Sequence, residues 1–95
     1  MVSKSPFEVA AQLVRDNASH MAKRSDAERL QIYGLFKQAT VGDVNIPKPG
    51  MFQMEAKAKY EAWEAKKGLT KPQAEEEYVK LAKQLLPPAA AAKLP

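Results

Sequence analysis

Three capping boxes divide this 95-residue chain and restrict it to folds built from short helices. In each box a Ser or Thr is followed three residues later by Glu or Gln, at Ser5–Glu8, Ser25–Glu28 and Thr70–Gln73. The two side chains of such a box satisfy each other's free backbone N–H groups, which is typical of a helix N-terminus. Pro6 follows the first box residue, and proline fits the first position of a helix. The boxes therefore predict three helix starts.

Apolar residues recur at helical spacing after each box and again after residue 53. Gly42 and Gly68 follow two of these segments and suit the left-handed stop of a helix. Pro87 ends the last one. The predicted helices span about residues 5–18, 26–41, 53–67 and 70–86.

The segment between the second and third helices is longer than a usual helix connection. Residues 43–50 contain two prolines and several turn formers, which predicts a loop of about ten residues that crosses the molecule. The predicted fold is therefore an all-α four-helix bundle with a long crossover connection between helices 2 and 3. One domain is expected over residues 1–88, with a flexible C-terminal tail over 89–95 that has little to bury.

Composition narrows the classes of function. The chain has no cysteine and one histidine, so disulfides, thiol catalysis and Cys-bound metals are excluded. It has no apolar run near the ~20 residues that span a membrane and no signal peptide, which together favour a cytoplasmic protein. A net charge of +4 favours an anionic partner: nucleic acid, anionic lipid or a small phosphorylated ligand.

Tyr33, Phe36 and Lys37 lie at i, i+3 and i+4 and share one face of the second helix. A phenol, a phenyl ring and an ammonium suit a ligand that has both an aromatic ring and a phosphate. The alternative is that the rings belong to the core and the lysine extends past them into solvent. The residues alone leave both interpretations open. Trp63 is expected in the core.

Several separate segments agree with one known family in order and spacing. FKQATVGDVN at 36–45, PGM at 49–51, AKAKYEAW at 56–63 and KKGLT at 66–70 closely resemble the acyl-CoA-binding protein family. The resemblance extends from about residue 7 to residue 86. It implies a four-helix fold with one crossover and a monomeric cytoplasmic carrier without cofactor. Its implied function is the non-catalytic binding, transport and pooling of medium- to long-chain fatty acyl-CoA esters.

The resemblance also implies roles for individual residues. Tyr33 and Lys37 match positions that bind the 3′-phosphate of the CoA adenosine, and Phe36 matches a residue that stacks on adenine. Lys59 matches a second phosphate-binding lysine. Tyr78 matches a helix-4 tyrosine that contacts the ligand.

Two further positions, Arg15 and Met54, belong to the expected site, and Met54 is also one of three departures from the family pattern. Arg15 stands where a lysine near the nucleotide is usual, and Met54 where an aromatic residue near the acyl chain is common. Glu55 replaces a frequent lysine, which reverses a charge beside the groove. The connection over residues 17–24 is a few residues longer than in compact members, and its His20 is expected to face solvent.

Two other classes compete with a carrier. An enzyme is disfavoured because the sequence lacks Cys and has a single His, which leaves little for nucleophilic or metal chemistry. A basic helical module for nucleic acid or a membrane surface is disfavoured because basic residues are interspersed with acidic ones. Neither catalytic nor metal-binding residues are predicted.

Overall fold

The computed structural model describes residues 4–95, and helices account for most of that stretch. Four helices are long and two are single turns. In chain order they are α1 (Pro6–Asp16), α2 (Ala18–Met21), α3 (Asp26–Thr40), α4 (Met54–Glu64), α5 (Lys71–Leu85) and α6 (Pro88–Ala91). The predicted all-α fold with a long crossover between the second and third long helices is confirmed. The helix ends lie within about three residues of the predicted ones.

All three capping boxes form as the sequence predicted. At the start of α1, Ser5 Oγ accepts from the Glu8 N–H at 3.2 Å while Glu8 Oε1 accepts from the Ser5 N–H at 3.1 Å. Equivalent pairs begin α3 and α5. At α3 the Ser25 N–H, together with the Arg24 guanidinium, holds the pKa of Glu28 below its usual range. The local sequence therefore fixes where these helices begin.

α3 is the central helix and contacts α5 on one side and α4 on the other, while α1 packs against α5. Asp26 and Leu30 of α3 lie near Met54 of α4, and the end of α3 lies near Trp63. The two helices are therefore parallel, which is why the connection between them must run back along the molecule. The core consists of buried apolar side chains, among them Phe7, Ala10, Leu13, Met21, Ile32, Leu35, Ala39, Ala74, Tyr78, Ala82 and Leu85.

Gly34 lets α3 and α4 approach closely. A Cβ at this position would press against the Ala62 carbonyl group, 2.9 Å from its carbon atom. No larger residue fits without moving one helix, because backbone atoms cannot give way as a flexible side chain can. This contact sets the distance at which α4 presents its side chains beside α3.

Two expectations from the sequence are wrong. The extra residues between α1 and α3 form α2, which buries Met21, and His20 is half-buried rather than solvent-facing. Its Nε2 donates to the carbonyl oxygen of Leu85 at 3.0 Å, which joins this connection to the end of α5. The tail also buries more than expected: α6 turns the chain back so that Ala90 and Leu94 reach the core. The domain boundary at 88 and the flexibility of 89–95 stay predictions.

Candidate ligand-binding site

A cleft of about 350 Å³ opens between α1, α3 and α5. Four of the seven predicted site residues line it: Arg15, Tyr33, Phe36 and Tyr78. The remaining lining is apolar and consists of Ala11, Val14 and Ile32. We call this the aromatic cleft. Its apolar sides and single cationic side chain suit a flat ring that carries an anionic group.

Two rings that line the aromatic cleft, Phe36 and Tyr78, pack against each other and against Phe7 behind them. Phe7 lies 6.0 Å from Phe36 and 5.0 Å from Tyr78, measured between ring centroids, and Phe36 lies 6.1 Å from Tyr78. Such aromatic pairs contribute roughly 0.5–1.5 kcal/mol each beyond their buried area. Phe36 is half-buried, so its ring both packs against the core and borders the cleft. The two interpretations of this residue are therefore compatible.

Tyr78 is a neutral hydrogen-bonding group at the base of this cleft. Burial raises the pKa of its hydroxyl to about 12, although the Arg15 guanidinium acts in the opposite direction. The hydroxyl therefore keeps its proton at any physiological pH. A protonated phenol can donate to an anion, whereas a phenolate would repel it.

The two predicted lysines lie outside the aromatic cleft, at the junction of α3 and α4. Lys59 Nζ is 5.7 Å from the centroid of the Tyr33 ring, and Lys37 Nζ is 4.8 Å from the centroid of the Trp63 ring. Both are within the range of a cation–π interaction. Tyr33 therefore has the aromatic cleft on one side and the Lys59 ammonium on the other, whereas Lys37 is directed toward α4.

A second cleft, of about 430 Å³, lies between the first half of α3 and the first half of α4. We call it the α3–α4 cleft. Its apolar lining comes from Leu30, Met54 and Ala58, and its polar lining from Asp26, Arg29, Glu55 and Lys59. Met54 is 77% exposed, so this predicted site residue borders an open groove rather than a closed pocket. Lys59 borders this cleft and also contacts Tyr33, so it connects the two clefts.

Glu55 is part of the α3–α4 cleft, and its carboxylate lies 3.5 Å from the ammonium of Lys59. The charge reversal noted in the sequence therefore acts directly on a predicted phosphate-binding residue. The pair is solvent-exposed, so water and salt screen the attraction, and a ligand anion can compete for the lysine.

A hydrogen-bond network that the sequence did not predict holds the start of the crossover. The Nε2 of Gln38, a residue only 1% exposed, donates to Asp43 Oδ1 and to the Leu69 carbonyl oxygen, both at 2.8 Å. Asp43 Oδ1 also accepts from the Gly68 N–H at 3.0 Å. The hydrogen bond from the Gly68 N–H holds the pKa of the Asp43 carboxyl below its usual range, and the bond from the Gln38 amide adds a smaller effect in the same direction. The one sign of this network in the sequence was Gln38 itself, a polar residue among the apolar positions of α3.

Trp63 fixes α4 against the end of α3. It is 2% exposed, which confirms its predicted place in the core, and its Nε1 donates to the Gly42 carbonyl oxygen at 2.8 Å. Gly42 has a φ of +102°, in the left-handed region that favours glycine. This contact anchors the helix that carries Lys59.

A third groove, of about 410 Å³, lies between the start of α1 and the outer face of α5. Phe7, Val79 and Lys80 are among its lining residues, and none of the predicted site residues borders it. In residues 4–95, no helix has the length and apolar character needed to cross a membrane. Across the same residues, no three potential metal-ligating side chains come together.

Comparison with known proteins gives a consistent result. Residues 4–82 match the profile of the family described as acyl CoA binding protein. The acyl-CoA-binding protein of Dictyostelium discoideum is 51% identical over 79 residues, which cover 83% of this chain and 90% of the relative. The acyl-CoA-binding protein of Saccharomyces cerevisiae is 45% identical over 80 residues, covering 84% and 88%.

Solved structures share the fold. The crystal structure of Oryza sativa acyl-CoA-binding protein 2 matches with a TM-score of 0.77 at 34% identity, covering 93% of this chain and 98% of that one. The crystal structure of ACBP from Moniliophthora perniciosa matches with a TM-score of 0.78 at 38% identity, covering 88% and 80%.

Proposed function

Since the chain belongs to the acyl-CoA-binding protein family, we propose how it divides its ligand between the two clefts. The function of this family is the binding and transport of fatty acyl-CoA esters. In our proposal the adenosine end of CoA lies in the aromatic cleft and the acyl chain follows the α3–α4 cleft. The observation that carries the proposal is the position of Lys59, which contacts Tyr33 and borders the α3–α4 cleft.

The headgroup end needs a surface for a base and positive charge for phosphates. Tyr33 and Phe36 offer ring faces at the aromatic cleft, and stacking of a base on such a ring contributes roughly 1–3 kcal/mol. A phosphomonoester carries about −1.5 to −2 charge at neutral pH. Arg15, Lys37 and Lys59 are the cations assigned to the phosphates.

The acyl end needs an open apolar surface. Leu30, Met54 and Ala58 provide it along the α3–α4 cleft. Each methylene fully removed from water contributes about 0.8 kcal/mol, so affinity should rise with chain length until the cleft is full. The medium- to long-chain range of the ligand is proposed on this basis.

We also propose that the protein is a monomeric, cytoplasmic carrier that needs no cofactor, does not bind nucleic acid and does not hydrolyse its ligand. The single histidine donates its Nε2 proton to Leu85 O, at the end of α5, and the chain has no cysteine. Neither cleft therefore contains the cysteine or the histidine that usually takes part in nucleophilic attack on a thioester.

Calorimetry with palmitoyl-CoA, free CoA and palmitate tests the proposal. We expect tight binding of the ester and much weaker binding of either half alone, because each half fills one cleft. Equal affinity for palmitate and the ester would refute the assignment of the headgroup. Because the protein has no thiol, a thiol reagent added to the palmitoyl-CoA mixture reports hydrolysis without background from the protein, and release of CoA would refute the carrier.

A further inference from the structure

Within residues 4–95, the large apolar side chains that are markedly exposed all lie between the end of α3 and the first residue of α4. They are Val41, Ile46, Met51, Phe52 and Met54. Phe52 is 93% exposed and Met51 72%. Met51, Phe52 and Met54 are close neighbours, and a contiguous exposed apolar patch marks an interaction site, whereas scattered exposed apolar residues need no explanation.

We propose that Met51, Phe52 and Met54, which we call the apolar tip, dock reversibly on the surface of an anionic lipid bilayer. Docking would bring the α3–α4 cleft against the bilayer from which an acyl-CoA ester is taken or to which it is delivered. The uptake and delivery of acyl-CoA at the bilayer rest on the proposed function, whereas the docking itself does not depend on it.

The backbone presents the apolar tip as a protruding turn. The Gln53 N–H donates to the Gly50 carbonyl oxygen at 3.0 Å, so Met51 and Phe52 occupy the two central positions of a turn. A stable protein–protein interface needs about 800 Å² from each partner. A narrow turn with two apolar side chains suits insertion at the lipid surface better, since segments that lie in that interface bury Phe and other apolar side chains at the boundary between headgroups and acyl chains.

The charges around the apolar tip favour an anionic surface. Lys48 precedes it in the loop and Lys57 follows it by one helical turn, and neither forms an ion pair with any described residue. The nearby carboxylates are both engaged: Glu55 pairs with Lys59, and Asp26, which lines the α3–α4 cleft together with Met54, pairs with Arg29. The positive charge that remains would be attracted to acidic lipid headgroups.

The apolar tip is continuous with the α3–α4 cleft, because Met54 belongs to both. A fatty acyl-CoA is an amphiphile whose chain partitions into bilayers. If the tip lies at the lipid surface, the chain can pass from bilayer to cleft beside Leu30 and Ala58 with little exposure to water.

Flotation with vesicles tests the docking. Vesicles of phosphatidylcholine with about 30% phosphatidylserine, free of acyl-CoA, are expected to carry the wild-type protein. Phe52→Ser should weaken this partition about tenfold, and Lys48→Gln about fivefold. Val41→Ser and Lys80→Gln are the matched controls, since Val41 lies at the far end of α3 and Lys80 on the outer face of α5. Both should bind vesicles as the wild type does.

A second measurement separates docking from ligand binding. All four variants should bind octanoyl-CoA in vesicle-free solution as the wild type does, while Phe52→Ser slows transfer of palmitoyl-CoA from vesicles. Absence of wild-type flotation, or equal flotation of Phe52→Ser and Val41→Ser, would overturn the proposal. So would a loss of octanoyl-CoA affinity in Phe52→Ser, or a dimer in sedimentation that this variant abolishes. Failure of the wild type to bind octanoyl-CoA would instead refute the proposed function.

Discussion

α4 and α5 flank the same central helix but are held to it very differently. α5 buries Ala74, Tyr78, Ala82 and Leu85, whereas in α4, all of which is described, Trp63 alone is buried. The aromatic cleft is therefore built on a packed core, and the α3–α4 cleft on a helix with one anchor. Fixed geometry suits recognition of a defined headgroup, and a lightly anchored helix suits acyl chains of different length.

The largest expected effect follows from the single anchor of α4. Trp63→Ala should lower the free energy of unfolding by about 3–5 kcal/mol, because it removes a buried ring and leaves a cavity. Urea unfolding followed by circular dichroism measures this. Trp63→Phe keeps an aromatic ring and most of the buried volume while it loses the bond to the Gly42 carbonyl, so it should cost much less. Equal losses in the two variants would mean that the hydrogen bond, not packing, holds α4.

The next effect concerns the residue that connects the two clefts. Lys59→Ala should raise the Kd for palmitoyl-CoA roughly tenfold to hundredfold, since a hydrogen bond to a charged group contributes about 1.5–3 kcal/mol. Calorimetry checks this, with Lys80→Ala on the outer face of α5 as the control. If both variants bind like the wild type, Lys59 does not contact the phosphates.

A smaller effect is expected at the carboxylate that competes for Lys59. Glu55→Gln should lower the Kd by a few-fold, because exposed ion pairs of this kind contribute about 0.2–1 kcal/mol. The gain should shrink as salt is added. A Kd that does not change at low salt would show that Glu55 does not compete with the ligand. Glu76→Gln, which breaks the analogous pair with Lys80 on α5, serves as the control.

The smallest effect is a dependence of stability on pH. Folding lowers the pKa of Asp43 below its ordinary value of 3.8, so the folded state favours the ionised form. The resulting stability is fully present above the unfolded pKa and is lost as the pH falls through the folded pKa. Wild type should therefore lose more stability than Asp43→Asn when the pH drops below about 4. Urea unfolding at several pH values measures this, and midpoints that fall equally with pH in the two proteins would contradict the prediction.

The sequence predicted what depends on neighbouring residues. The starts of α1, α3 and α5 follow from capping boxes that span four residues each, and the stop at Gly42 follows from its own backbone freedom. Local rules of this kind need no knowledge of the tertiary structure. The crossover followed from the length and proline content of one segment.

What depends on distant parts of the chain was not predictable. The network around Gln38 requires Gly68 and Leu69, about thirty residues away, and the burial of His20 requires the end of α5.

The sequence predicted the binding site in part. Helical spacing placed Tyr33, Phe36 and Lys37 on one face, yet only packing against α1, α4 and α5 directs the first two toward the aromatic cleft and Lys37 toward Trp63. Their roles in binding stay predictions.

The most direct test of a ligand divided between two clefts is a comparison of amide chemical shifts with free CoA and with palmitoyl-CoA. Free CoA should shift the amides around Arg15, Tyr33 and Tyr78 and leave those of Leu30 and Met54 unchanged. Palmitoyl-CoA should shift both sets. Shifts at Met54 and Leu30 with free CoA, or none at Tyr33 and Tyr78 with either ligand, would contradict the account.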